Sequence, residues 1–414
     1  IDKMPKVVNQ KTGRIHASFN QNGTDTGRYS SSDPNMQNIP SHNTDIRKMF
    51  IPSPGYVFIG ADYSAQEPRI TSHLSNDEKM IEAYRQGKDL YVEIASLAFN
   101  LPYDECKEFR ADGTKNPEGK ERRNQAKAIV LGICYGKGVP AIGEDLGITT
   151  QKAQEIYDKV MKAFPGLKKF MEDSERMAKE LGYVTTAWGR KRRLPNIQLP
   201  EYEYSWAGNA PANFDPLSFG DNSYSDEVPW DTQEKYNRLL KRTRNYREKE
   251  TIKQKALAEG IKIKDNGALI AEATRQCVNS RVQGSAADMT KIAMILIGNN
   301  KRLQELGLRL ILPVHDELIA ECPIENVKEV APLYSKLMVE AASSLKVPFK
   351  CDVEITDRWY GYVIVENIQD GTFWKRISLK EDERGVKMAT LQSWDTGQTI
   401  HITEKTFNEC YRDI

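Results

Sequence analysis

Residues 310–321 read LILPVHDELIAE. Leu310 to Val314 has the apolar character of a buried strand, and Leu318 to Ala320 resumes it. Between them, His315-Asp316-Glu317 has turn chemistry, so the stretch predicts a hairpin with two carboxylates at its tip. A solvated acidic turn on an ordinary sheet is the plainer reading. A metal or acid–base site on a rigid scaffold is the sharper one. A second stretch bears on the choice: Tyr56 to Ala61, YVFIGA, is another buried strand, and it too runs into a carboxylate, Asp62. If the two strands are neighbours in one sheet, Asp62 and Asp316 meet at its edge, where two carboxylates repel unless a cation lies between them. Magnesium fills that role, with carboxylates and substrate phosphates as its preferred ligands. Two such ions about 3.5–4 Å apart serve phosphoryl transfer. Two unrelated strand-end aspartates are the alternative.

A third stretch, RRNQAKAIVLGICYG at 122–136, spaces Arg123, Lys127, Leu131 and Tyr135 by four, along one slowly drifting helical stripe. The first half of that stripe is cationic and the second apolar and aromatic. Cations one turn apart can grip a polyphosphate, while the later residues can touch a sugar and a base. A snorkelling Arg/Lys edge above a packed Tyr fits the same pattern.

Composition narrows the classes. The chain of 414 residues is long enough for two or three sub-domains. Its formal net charge of +1 gives no global field, so any polyanion site must be a local concentration of Lys and Arg. Six scattered cysteines without a CxxC pair argue against a zinc site or a disulfide framework and fit a reducing compartment. No stretch approaches the roughly 18 apolar residues of a membrane span. No signal peptide is visible, so a cytoplasmic location is expected and no membrane partner. The chain starts at Ile1, as a piece of a longer protein would.

Along the chain, residues 12–40 read as loop, and 77–170 as mostly helical with starts signalled at Asp77, Thr149 and Asp104. Residues 194–234 hold eight acidic residues and no Lys or Arg, whereas 235–264 turns strongly basic and helical. That asymmetry marks an appendage, either a solvated helix against an acidic loop or a nucleic-acid contact. An amphipathic helix over 271–300 and a strand at Cys351–Ile355 follow, and the last fifty or so residues read as a small appended segment.

The three segments DYSAQEPRI (62–70), RRNQAKAIVLGICYG and VHDE (314–317), in that order, resemble motifs A, B and C of family A DNA polymerases, the bacterial DNA polymerase I group. TGRYSSSDPNMQNIP (26–40), GYVTTAWGRKRRLP (182–195), RVQGSAAD (281–288) and VPFKCDVEITDRWY (347–360) are similar to further stretches of the family. The resemblance covers roughly 20–360. It implies an α+β, right-hand architecture with an antiparallel palm sheet and helical fingers. It divides the chain into an N-terminal segment and first palm part (1–68), fingers (69–197), a charged insertion (198–270), the second palm part with the hairpin (271–360) and a C-terminal extension (361–414).

What the resemblance implies for function is template-directed DNA synthesis from deoxynucleoside triphosphates on primer–template DNA. Asp62 and Asp316, with the backbone carbonyl of Tyr63, would ligate two magnesium ions, and Glu317 would support the site from beside them. Arg123 and Lys127 would bind the triphosphate, Lys127 also donating a proton to pyrophosphate. Leu131 would border the sugar, Tyr135 would stand where the template base enters, and Glu67 would be the steric gate against a ribose 2′-hydroxyl. Arg69 would brace Glu67 or the wall of the site. His315 would stand near the primer terminus. Arg28, Arg275, Asn279 and Gln283 would reach the duplex minor groove, where contacts report geometry without reading sequence.

The chain departs from the family at Leu131, usually Phe or Tyr, at Tyr91, usually a His on the triphosphate, and at SAQEP, where SQIEL is common. A phenol at 91 can donate a hydrogen bond but adds no charge. The helical thumb and exonuclease domain that precede the TGR segment in the family are expected to be absent from this chain, or supplied by a partner chain. A non-extending duplex-binding subunit is therefore the alternative reading, and a phage or other viral source is expected.

Overall fold

In the computed structural model, which describes residues 4–40, 44–207, 227–381 and 386–414, the two aspartate-bearing strands pair directly. The nine strands of the main sheet, labelled in chain order, are β1 (Tyr56–Tyr63), β2 (Arg309–Val314), β3 (Glu317–Pro323), β4 (Cys351–Thr356), β5 (Val363–Asn367), β6 (Phe373–Glu381), β7 (Lys387–Ser393), β8 (Thr399–Thr403) and β9 (Tyr411–Asp413). Their spatial order is β8-β7-β6-β5-β4-β1-β3-β2, with β9 also on β5 and every pairing antiparallel. With its many helices, this is the expected α+β class.

Alternation places the site. In β1, Val57, Ile59 and Ala61 are fully buried on one face, while Gly60 and Asp62 take the other. The buried face is held by the helix Val327–Glu340, where the Tyr334 hydroxyl donates to the Leu318 carbonyl at 3.1 Å and the Tyr63 hydroxyl to the Met338 carbonyl at 2.7 Å. These bonds fix the strands that carry Asp62 and Glu317 to one rigid support.

Several local expectations change. Residues 12–40 contain a short hairpin, Ser18–Asn20 with Ser30–Ser32, too polar and too brief to show an alternation. Asp104 lies in a 3₁₀ turn, Tyr103–Cys106. The long helix starts at Pro117, capped by Asn116, whose side chain accepts from the Gly119 amide at 3.2 Å. Asp77 and Thr149 do cap helices. The last fifty or so residues, expected as a small appended segment, continue the main sheet as β5 to β9, with their own core of Val365, Ala389, Leu391, Phe407 and Tyr411.

Two compact units divide the chain: 1–172, 185–192 and 279–414 in the first, 173–184 and 193–278 in the second. The first holds the main sheet and the helices 66–163. In the second, Tyr202–Trp206 pairs antiparallel with Ile261–Asp265, and helices Trp230–Arg242 and Tyr246–Ala258 pack on that ribbon around Val228, Tyr236, Ala256 and Ile261. The basic half of the charged stretch is thus largely helical, as expected. Much of its acidic half, 208–226, lies outside the described residues.

Candidate active site

The site is a row of carboxylates across three strands. Asp62 on β1 pairs with Glu317 on β3 and with Asp352 on β4, so all three side chains leave the same face. Asp316 occupies the two-residue turn between β2 and β3, and Glu354 follows Asp352 on that face, opposite Gly60. Like charges directly opposite one another destabilise a sheet, and this row has no ion pair among the described residues.

The electrostatics follow. Burial, the Asp316 charge and the Asp352 charge push Asp62 up to about 6, although its own backbone neighbourhood at Tyr63 opposes the shift. Glu317 is pushed up to about 7 by burial and by Asp62, with Arg47 opposing and Asp316 and Glu354 adding. Arg47 is itself buried, donating to the Ile39 carbonyl at 2.9 Å beneath the rings of Trp359 and Tyr360. Room for Glu317 is made by Gly60: a Cβ there would lie 2.7 Å from Glu317 Oε1.

Both aspartates stand near strained backbone. Ala65, three residues after Asp62, has φ 54°, and His315, exposed beside Asp316, has φ 56°, left-handed values that side chains other than glycine rarely adopt. Gln66–Ser75 starts directly after Ala65.

The helix Pro117–Cys134 carries Arg123, Lys127 and Leu131, while Tyr135 caps its end. Lys127 is exposed, with no ion pair among the described residues. Arg123 donates from Nε to Asp89 Oδ2 at 2.7 Å and lies over the Tyr91 ring at 5.5 Å. Asp89 uses its other oxygen to cap the helix Leu90–Phe99, accepting from the Tyr91 amide at 2.8 Å. Tyr91 is buried, its ring a support for Arg123.

Glu67 is the meeting point of two other candidates. Its Oε1 accepts from Arg28 at 2.6 Å and its Oε2 from the Tyr135 hydroxyl at 2.8 Å. Arg28 is therefore turned onto Glu67. Arg69 does not touch Glu67: it donates to the Ser64 carbonyl at 2.8 Å and to the Pro348 carbonyl, stacked on Tyr84, and so braces the wall. Asn279 and Gln283 lie one turn apart in the first unit, partly exposed, and Asn279 Oδ1 is buried without a hydrogen-bond partner. Arg275, exposed, belongs to the second unit.

Sequence reading missed four contributors. Asp352 and Glu354 were visible in the CDVEIT alternation, but only the register against Asp62 gives them meaning. Asp89 gave a helix-start signal just before LYVE that also orients Arg123. Arg190 joins three of the quoted segments, donating to Asp288 at 2.6 Å, the Thr26 carbonyl at 2.8 Å and the Gly284 carbonyl at 3.0 Å. Gly27, at φ 82°, leaves space for it: a Cβ there would lie 2.8 Å from the guanidinium.

Among the described residues no three His, Cys, Asp or Glu side chains form a closed metal cage. A magnesium site does not need one, since one or two carboxylates plus phosphate oxygens suffice. The residues present fit such an ion, because the Asp316 charge bears on Asp62 and neither aspartate has an ion pair among the described residues. No helix among them is long and apolar enough to cross a membrane.

A family profile described as DNA polymerase family A matches residues 1–212 and 223–361. The match runs through most of the stretch expected to be an insertion and ends before β5. The chain is 33% identical over 364 residues to DNA polymerase I of Geobacillus stearothermophilus, covering 87% of this chain and 33% of the relative. It is 30% identical over 362 residues to the thermostable DNA polymerase I of Thermus aquaticus, covering 87% and 34%. The chain thus spans about a third of the length of these relatives. Among solved structures, it is similar to the POL domain of Pol1 from M. smegmatis in complex with DNA primer-template and dNTP. That match has a TM-score of 0.64 and 29% identity, covering 86% of this chain and 50% of that one.

Proposed function

Because this chain belongs to DNA polymerase family A, we propose that it is a template-directed DNA polymerase that adds deoxynucleotides to a primer 3′ end and releases pyrophosphate. The observation that carries the reading is the row Glu317–Asp62–Asp352 with Asp316 at the adjoining turn, a concentration of negative charge left uncompensated by the protein. Asp62 and Asp316, with the Tyr63 carbonyl, would hold two magnesium ions. When bound, these supply charge neutralisation and activation of the primer 3′-hydroxyl.

The chain's own groups do the rest by positioning and electrostatics. Glu317, pushed up to about 7, sits over Gly60, with Arg47 acting on its charge. Arg123, aimed by Asp89 and Tyr91, would bind the triphosphate. Lys127, free of carboxylates among the described residues, would donate its Nζ proton to the departing pyrophosphate oxygen. Leu131 would flank the sugar. Glu67, its carboxylate fixed by Arg28 and Tyr135, presents a rigid side chain against a 2′-hydroxyl. Asn279, with its unpaired Oδ1, Gln283, Arg275 and His315 would touch the primer–template.

Primer extension with magnesium and four deoxynucleotides tests this, with Asp316→Asn beside the parent chain. Extension that falls at least about 10³-fold in the variant is expected. Duplex binding without extension by the parent would favour the non-extending binding subunit.

A further inference from the structure

The turn joining the two helices of the second unit reads RLLKRTRNYR, residues 238–247: five cations and no carboxylate. Arg238 pairs with Glu234 at 3.3 Å. Lys241, Arg242, Arg244 and Arg247 are exposed and have no ion pair among the described residues. Elsewhere in the same unit three cations of the ribbon and its helices are matched: Lys235 with Glu259 at 3.2 Å, Lys253 with Glu250 at 2.9 Å and Asp265 at 3.2 Å, Lys264 with Glu203 at 2.9 Å. The tip is thus a local excess in a chain whose formal charge is +1.

Two features set it apart from a solvated helix end. Arg244 and Arg247 flank the start of the helix Tyr246–Ala258, whose dipole already places positive charge there; Glu248 in the same turn makes no ion pair with either among the described residues, so the cations outnumber the anions where the dipole favours an anion. Tyr246, in the midst of the four cations, is 74% exposed. A buried base of Tyr236 and Leu240 holds the helix beneath. Cations that track a phosphate backbone, interleaved with an open aromatic face, are what a single strand of nucleic acid requires, because every base offers a face to stack on.

We propose that the 238–247 tip is a binding site for single-stranded DNA, with Lys241, Arg242, Arg244 and Arg247 on successive phosphates and Tyr246 stacked on a base. The proposal does not depend on the polymerase reading, since it is measured by binding alone.

The test uses the full chain and fluorescence anisotropy of a labelled 20-nucleotide single strand and of a blunt duplex of equal length, from 50 to 300 mM KCl. Two variants are compared, Tyr246→Ala and the fourfold Lys241→Gln/Arg242→Gln/Arg244→Gln/Arg247→Gln. All five side chains are exposed, and unchanged circular dichroism and melting temperature confirm the fold. In the fourfold variant, single-strand affinity should fall more than 10-fold at 50 mM KCl, and the slope of log affinity against log salt should lessen by about 2–3. Tyr246→Ala should weaken single-strand binding about 5- to 100-fold and leave the duplex unchanged. An unchanged salt slope in the fourfold variant overturns the proposal. So does a Tyr246→Ala variant that binds the single strand as the parent does.

Discussion

The two units treat their carboxylates in opposite ways. On the main sheet, burial and the Asp316 charge drive Asp62 up to about 6 against the Tyr63 backbone, and burial and the Asp62 charge drive Glu317 up to about 7 against Arg47. In the second unit, Glu203 is drawn below its ordinary value by Lys264 and Asn266. Burial of Asp265 is more than offset by the Gly267 amide and Lys253. A fold gains nothing from four acids massed on one face, whereas matched surface pairs are an ordinary way to keep a ribbon in register. Unrelieved charge is the mark shared by the two places where we propose that ligands are met: acidic on the sheet, basic at the 238–247 tip.

The contrast can be broken at Gly60. A Cβ there meets only the far end of Glu317, so Gly60→Ala should barely change stability. It should swing the Glu317 carboxylate aside and lower primer extension about 10-fold. Steady-state kinetics beside a urea melt checks both halves, and an unaltered rate would remove Glu317 from the working site.

A smaller effect concerns pH in chelator-treated protein. With folded values raised above the ordinary carboxylate range near 4, the native state holds extra protons between about pH 4 and 7. Stability from these two groups is then greatest below that window and declines as pH rises through it. After allowance for partial solvent exposure, the decline should be on the order of 2 kcal/mol. Urea midpoints at pH 5 and 7.5 measure it. Glu317→Gln should flatten the trend, and a parent profile that rises with pH would contradict the assignment.

The smallest effect belongs to the matched side. Lys253→Ala removes the partner of Glu250 and Asp265 and should lower stability by about 0.5–1 kcal/mol, with primer extension unchanged. A large loss of extension would mean that these pairs are not merely structural.

The sequence disclosed most of the frame because buried antiparallel strands of five to eight residues leave plain patterns. YVFIGA and LILPVHDELIAE both carried their carboxylates at readable positions. It did not disclose the hairpin at 18–32, whose strands SFN and SSS hold one apolar residue, Phe19, and are too short for a rhythm. β6 escaped for a related reason: from Phe373 to Ser378 every residue is half-buried, so no face stands out. At the site, residues near one another in the chain could be grouped by spacing. The carboxylate row and the Arg28–Glu67–Tyr135 bridge join residues separated by dozens to hundreds of positions, and only strand register and helix docking bring them together.

The ribbon of the second unit opens and closes at almost one point. The Asn266 amide donates to the Glu201 carbonyl at 2.9 Å, and its side chain donates to the Pro200 carbonyl at 3.0 Å and to Glu203 at 2.9 Å. What lies between, from Tyr202 to Asp265, carries its own core. A stretch sewn shut at its neck can be lengthened, trimmed or exchanged with the stitch left in place. Joining Glu203 to its register partner Lys264 through a short turn keeps all three bonds, and is accordingly the natural splice for making a chain without the tip, or for grafting the tip onto another scaffold.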